Sequence, residues 1–232
     1  MGYPTNLTFG IATVPTIKPL GLYPLPDPFH TSANPGFAVH YFQDDFNTLS
    51  TSTYTLTGTG TPTFALGTGQ GGVAVMTTTG TSSDSALVTK PGKGFAFIAG
   101  QDSWGNFRFQ VSDATNSSFL VGVIDAAAQA DGLYFSKANA STTVSLVSMI
   151  GSAATTLVAS VTTAANATYM DLGWYYNGTD LLVFSSGALV ARVAAATLTT
   201  ATLTVGMQLV TGAAAAKTLT SDFIFVAEEM VR

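Results

Sequence analysis

The sequence predicts an all-β sandwich preceded by an extended, proline-rich N-terminal arm, and three observations lead there. From about residue 40 onward, short runs rich in β-branched and aromatic residues recur with turn residues between them about every eight to twelve positions, the spacing of a sandwich or barrel. Helical periodicity is nearly absent. The alanine-rich pieces at 126–130 and 212–217 are too short and too uniform to hold a helix in isolation and are read as loops. Finally, seven of the nine prolines, Pro4, Pro15, Pro19, Pro24, Pro26, Pro28 and Pro35, fall near the start of the chain.

Proline fixes φ, withholds a backbone donor and pushes the residue before it toward extended conformations, so this segment is neither a helix nor a central strand. Residues 1–40 are therefore assigned to the arm and residues 41–232 to one sandwich domain. The arm also carries Tyr3, Phe9, Tyr23 and Phe29, too much apolar surface for a solvated spacer. Tyr3, Pro4, Phe9, Pro15, Pro19, Tyr23, Pro24, Pro26 and Phe29 are expected to form an assembly contact. At about 3.3 Å per residue the arm spans roughly 100 Å, enough to reach a neighbouring subunit or to fold back on its own domain.

Within the domain the clearest strands are HYFQDDF, GGVAVMTTT, NFRFQVS, SFLVGVI, GLYFSKA, TVSLVSM, TTLVASV, YMDLGWYY, LLVFSS, LVARVA, TLTVGMQLV and LTSDFIFVA. Residues 171–190 read as a three-strand meander with turns at Asn177-Gly178, a strong two-residue hairpin signal, and at Ser186-Gly187. Alternation places Leu172, Trp174 and Tyr176 on one face and Tyr175 on the other.

Composition narrows the function. Charged residues make up 9% of the 232 residues, hydrophobic residues 47%, and the mean hydropathy is +0.36. Thr, Ser, Gly or Asp interrupts every apolar run before it reaches the length of a membrane-spanning helix, and the N-terminus lacks the basic start and apolar middle of a secretory signal. A charge-poor, Thr/Ser/Ala/Gly-covered surface is cheap to desolvate and suits a subunit packed among neighbours. The net charge of −5 and pI near 4.6 disfavour a nucleic-acid partner. The absence of cysteine removes disulfides and thiolate chemistry. Asn6 stands where a myristoylation signal needs Ser or Thr.

No catalytic, cofactor or metal site is expected. The only glutamates, Glu228 and Glu229, are adjacent and point to opposite faces of a strand, so they cannot flank one glycosidic bond. Asp44-Asp45 with Asp125 or Asp131 lacks the spacing of a calcium loop and reads as turn capping. His30 and His40, the only histidines, lie in or beside the arm with no partnering nucleophile motif. Residues 67–72 spell GxGxxG, but a strand-like run follows where a dinucleotide loop needs a helix. The Asn-x-Ser/Thr sequons at Asn6, Asn116, Asn139, Asn166 and Asn177 are the chance product of a Thr/Ser-rich chain. An exposed aromatic platform for stacking a sugar would draw on Trp104, Trp174 and Tyr175.

GQDSWGNFRFQVSDATNSSFLVG at 100–122, DGLYFSK at 131–137, DLGWYYNG at 171–178 and GAAAAKTLTSDFIFVAEE at 212–229, with GGVAVMTTTG at 71–80, resemble a group of tailed-bacteriophage virion proteins built on a concanavalin A-like (laminin-G-like) sandwich. The resemblance spans about residues 41–232 and leaves out the arm. It implies a jelly-roll antiparallel β-sandwich and a non-enzymatic capsid decoration or cement protein on the outer surface of the phage head, made in the host cytoplasm. Its partners would be the major capsid protein and neighbouring copies of itself, as a trimer at local three-fold positions or a dimer. Relatives of this sandwich also serve as lectins and glucanases, so a carbohydrate-binding module of a tail or head fibre, taking a host-surface glycan, is the alternative. The calcium-and-asparagine loop of the general lectin pattern has no evident counterpart here.

Overall fold

The computed structural model describes residues 37–50, 52–69, 71–126 and 129–231, together with two short arm strands, β1 (Thr8–Phe9) and β2 (Ala12–Thr13), which pair antiparallel. Tyr3, Pro4, Pro15, Pro19, Tyr23, Pro24, Pro26, Phe29 and His30 lie outside the described residues, and Phe9 is described only as backbone of β1. The described residues contain no helix; residues 212–217 are bends and turns, as expected.

The domain begins with β3 (Phe37–Asp44), slightly ahead of the expected boundary, and continues through β4 (Thr55–Thr59), β5 (Thr63–Gly67), β6 (Val73–Thr77), β7 (Ser85–Thr89), β8 (Ser103–Val111) and β9 (Ser117–Ile124). It then runs through β10 (Gly132–Lys137), β11 (Thr143–Ile150), β12 (Ala153–Thr163), β13 (Met170–Tyr176), β14 (Leu181–Ser185), β15 (Ala188–Val193), β16 (Thr204–Thr211) and β17 (Thr218–Val231). All twelve expected strands are present. The three unforeseen ones, β4, β5 and β7, are short and rich in Thr, Gly and Ala, so pairing with β7 and β6 rather than local propensity holds them extended.

Two antiparallel sheets form the sandwich. One runs β12-β11-β10-β9-β16-β7-β4; the other runs β15-β14-β13-β8-β17-β6-β5, with β3 also paired to β17. Period-two alternation sends Phe107, Phe109, Leu172, Trp174, Val183, Ile224 and Val226 from one sheet toward Val121, Leu133, Phe135, Leu146, Val205 and Met207 from the other, all buried. Rings bridge the layers: Phe135 meets Trp174 at 5.9 Å between centroids, and Phe109 meets Phe119 edge-on at 5.2 Å.

The long strand β17 changes partner midway. Thr218–Ser221 pair with β6 and Ile224–Val231 pair with β3, while β8 lies alongside throughout. A bulge at Asp222 makes the switch. It reverses the alternation, so Leu219 and Ser221 point inward before it and Ile224 and Val226 after it.

The turns match their residues with one difference. Ser186 and Gly187 both take positive φ, 50° and 73°, and close β14 onto β15 as a two-residue type I′ turn. The β13–β14 connection is longer than the Asn177-Gly178 signal implies: it runs over residues 177–180, and of the Asn-Gly pair only Gly178 is left-handed, at 82°. Asn177 instead accepts the Thr179 and Asp180 backbone N–H groups with its side-chain oxygen, at 3.0 and 2.7 Å. That Asx geometry competes with the type I′ turn and wins.

Candidate functional site

The outer face of the β15-β14-β13-β8-β17-β3 surface carries the densest group of aromatic and polar side chains. Because Gly105, Phe107 and Phe109 of β8 face the core, Trp104, Asn106 and Arg108 project from the opposite side. Register then builds rows across the strands. Leu182, Tyr175, Trp104, Ala227 and Tyr41 form one; Phe184, Gly173, Asn106, Phe225 and Gln43 form the next; Asp171, Arg108 and Phe223 form the third. Gly173 and Ala227 have little or no side chain, and both are buried among the larger neighbours.

Trp104 and Tyr175 stack, with centroids 5.7 Å apart and planes 25° from parallel. The Tyr175 hydroxyl donates to Asp102 Oδ2 at 3.0 Å. Glu229 and Asp102 are joined through their backbones and through the Asp102 N–H donating to Glu229 Oε2 at 3.2 Å. Burial raises the Asp102 and Glu229 carboxyls above the usual carboxylate range, and burial together with Asp102 pushes the Tyr175 phenol well above its ordinary value. At the other end of the face Arg108 pairs with Asp222 at 2.8 Å and lies over the Tyr169 ring at 4.8 Å.

The expected three-aromatic platform is corrected here. Trp174 is 0% exposed and Trp104 3%; of the three, only Tyr175 is partly open to solvent. Trp174 faces the core because strand alternation puts it beside Leu172 and Tyr176, and its indole occupies the space above Gly105, where an added Cβ would lie 2.4 Å from Cζ2. Trp104 is on the outer face, but wedged against Tyr175. Tyr41, at 49% exposure, extends the same row and was not singled out from the sequence, since an aromatic at the arm boundary gave no signal of sharing a sheet row with β8.

Two polar atoms on this face are shielded from solvent without a hydrogen-bond partner among the described residues: Trp104 Nε1 and Asn106 Oδ1. Trp174 Nε1 shares that condition inside the core.

The remaining sequence candidates resolve into local structure. Glu228 and Glu229 do point to opposite faces: Glu228 turns inward and accepts the Ala96 N–H at 2.6 Å, and burial raises its carboxyl. Asp44 accepts from Phe46 N and the Tyr54 hydroxyl, and Asp45 binds the Asn47 side chain. Asp125 caps Ala130 N, and Asp131 receives the Thr199 hydroxyl and Gly151 N. Among the described residues no group of three or more His, Asp or Glu side chains is placed to hold a metal ion. His40 packs its ring 4.8 Å from Phe95, and burial with Lys90 nearby lowers its pKa. Of the GxGxxG glycines, Gly67 ends β5 and Gly72 leads into β6, where a Cβ on Gly72 would collide with the Phe46 carbonyl.

No protein-family model matches the chain, and no curated protein matches its sequence. Solved structures do match its fold. A Bacillus licheniformis β-glucanase superposes with a TM-score of 0.62 at 10% identity, over 80% of this chain and 97% of that one. An endo-1,3-β-glucanase from Streptomyces sioyaensis does so with a TM-score of 0.61 at 12% identity, over 85% and 98%. A protein of unknown function from Shewanella oneidensis MR-1 gives a TM-score of 0.59 at 14% identity, over 83% and 87%. At such identities the likeness establishes the concanavalin A-like β-sandwich and nothing about activity.

Proposed function

We propose that this protein is a non-enzymatic structural component of a tailed-phage virion, a sandwich that decorates the outside of the head and binds both shell protein and neighbouring copies of itself. The observation that carries the reading is a long, uncharged edge. β12 is an eleven-residue edge strand, and no charged residue occurs from 138 to 170. It lies against β15, the edge of the other sheet, where Leu189 and Val190 are 44% and 43% exposed. Monomeric proteins guard long edge strands with Lys, Pro or bulges; β12 is irregular in register against β11 at two places but carries neither Lys nor Pro, and a subunit in an assembly needs no charge or proline there. The resemblance of residues 41–232 to virion decoration proteins supports the choice of assembly. Stabilisation would come from many weak contacts added over a lattice.

The test is co-sedimentation with undecorated heads of the phage that encodes the chain, using Thr156→Lys and Val190→Lys as edge variants. Both sites are exposed, so folding stability should change by no more than about 0.5 kcal/mol. Saturable binding by the native protein, lost in the variants, is expected. No binding by the native protein would refute the reading.

The second reading, a carbohydrate-binding module, is favoured by Tyr175, Arg108, Asp171 and Gln43 sharing one sheet face. A glycan array in which binding disappears with Arg108→Ala would replace the assembly role.

A further inference from the structure

The side of the sandwich opposite β12 and β15 ends on two other edge strands, β4 and β5, which follow each other in the chain through residues 60–62. No charged residue occurs from 46 to 83, and threonine stands at every odd position from 51 to 63. On β4 this row is open to solvent: Thr55, Thr57, Gly58 and Thr59 are exposed and Leu56 is half-buried. The strand keeps one unbroken register on β7, from Thr55 opposite Thr89 to Thr59 opposite Ser85. Thr59 is held there by its N–H donating to Ser85 Oγ at 3.2 Å and its Oγ1 accepting from the Ser85 N–H at 2.9 Å. Alternate residues of such an edge turn N–H and C=O groups away from the sheet, and β4 bears no Lys, Pro or bulge to deter a further strand. Beside it Leu66 of β5 is 48% exposed, on the same face as Phe64, which with Leu56 is only partly covered at the rim of the core.

We infer that β4 pairs antiparallel with β4 of a second copy about a two-fold axis through Thr57. The strand reads Thr-Leu-Thr-Gly-Thr, which complements itself in that arrangement. Thr57 meets its own counterpart, Thr55 meets Thr59, and the bulk of Leu56 stands beside Gly58, which has no side chain. Cross-strand threonine pairs stabilise antiparallel sheets, whereas like charges placed opposite each other destabilise them. A two-fold contact sets the residue on its axis against itself, so a chain with a net charge of −5 makes such a contact most readily through a segment free of charge. A foreign strand would require no such self-complementarity. Residues 55–67 are about half the number that a standard interface engages on each partner, so the contact is weak in free solution and gains strength where copies are held side by side on a lattice. The inference rests on the part of the assembly reading that joins copies to one another; the shell contact through β12 is separate.

The test uses the full-length chain, which has no cysteine, carrying either Thr57→Cys or, as an exposed reference outside β4 and β5, Thr179→Cys. Directly opposed residues of an antiparallel pair have Cα atoms about 4.5–5.5 Å apart, within disulfide reach. Under copper-phenanthroline oxidation Thr57→Cys is expected to form disulfide-linked dimers about ten-fold faster than Thr179→Cys, because association raises the effective concentration of its two thiols; equal rates overturn the inference. In sedimentation velocity at high protein concentration the native chain should associate, Thr57→Lys and Thr57→Glu should each be monomeric, and an equimolar mixture of the two should recover association as a heterodimer. Misfolded variants would not rescue each other. A monomeric native chain, association retained by both single variants, or a mixture that stays monomeric overturns the inference. No heads are present in these experiments, so the pairing at Thr57 can fail while co-sedimentation with heads succeeds, and a failed co-sedimentation leaves the pairing to be decided by these results.

Discussion

Replacing Lys137 with Met perturbs a single buried charge whose every donor is committed. Lys137 is 1% exposed at the end of β10, and its ammonium donates to the carbonyls of Ser117, Ala138 at 3.1 Å and Ser141 at 3.0 Å. These join the start of β9 to the β10–β11 turn. Hydrogen bonds from a charged donor are worth about 1.5–3 kcal/mol each. Ala138 and Ser141 sit at an open turn where water can replace the lysine, so the loss concentrates on the buried Ser117 carbonyl; Met keeps the methylene packing near Phe119. The expected destabilisation is therefore about 3 kcal/mol, well below the sum of three bonds. For a domain of this size that lowers Tm by about 6–12 °C, and in urea it moves the midpoint without changing the slope.

A pH signature accompanies it. Burial pushes the Lys137 ammonium down to about 8 from 10.5, so between those values the unfolded chain binds more protons than the folded one. Stability of the native protein rises with pH through that window relative to Lys137→Met, and below about pH 8 the two profiles run parallel. A destabilisation under about 1 kcal/mol would refute the argument that the three carbonyls depend on this side chain.

Three further outcomes are expected. Gly105→Ala drives a Cβ to within 2.4 Å of Trp174 Cζ2 in the closed core and should cost about 2–3 kcal/mol by overpacking, visible in near-ultraviolet circular dichroism; an unchanged melting curve would mean that the indole has room to move. Gly178→Val meets both a positive φ of 82° and the Gly100 backbone 2.3 Å from its Cβ, so it should destabilise by about 2 kcal/mol or more, whereas Asn177→Asp, which keeps the side-chain acceptor, should stay within about 0.5 kcal/mol of native by chemical denaturation. Asp113 accepts the Thr115 and Asn116 N–H groups and pairs with Lys217 at 2.8 Å, which holds its carboxyl well below the usual range; its contribution is present above about pH 4 and is lost as pH falls below that value, so Asp113→Asn should flatten the acid side of the stability profile, and an unchanged acid limb would deny the pair that role.

The strands of the sandwich were legible because period-two alternation and turn residues are local properties of the chain. DLGWYY reads as a strand with Leu172, Trp174 and Tyr176 on one side, and so it lies. The bulge at Asp222 was not legible, since the unbroken apolar run Phe223–Ala227 shows no alternation from which a change of faces could be read, and the reversal accompanies β17 exchanging β6 for β3. The Asn177 loop misled for a related reason: Asn serves equally as a left-handed turn residue and as an Asx acceptor, and the flanking geometry selects between them.

The aromatic platform marks the same boundary from the functional side. That Trp104 and Tyr175 share a face follows from the register between β8 and β13, which pairs them directly, and the register is a long-range choice. Whether Trp104 is exposed depends on neighbours up to two strands away on either side. The sequence by itself determined the fold class, the charge-poor character of the chain and the separation of Glu228 from Glu229, because each rests on composition or on alternation along one strand. The tertiary structure alone decided which strands are edges, which indole is core, and that Trp104 Nε1 and Asn106 Oδ1 on β8 are buried without a partner among the described residues, because burial and hydrogen-bond satisfaction depend on contacts between residues far apart in the chain.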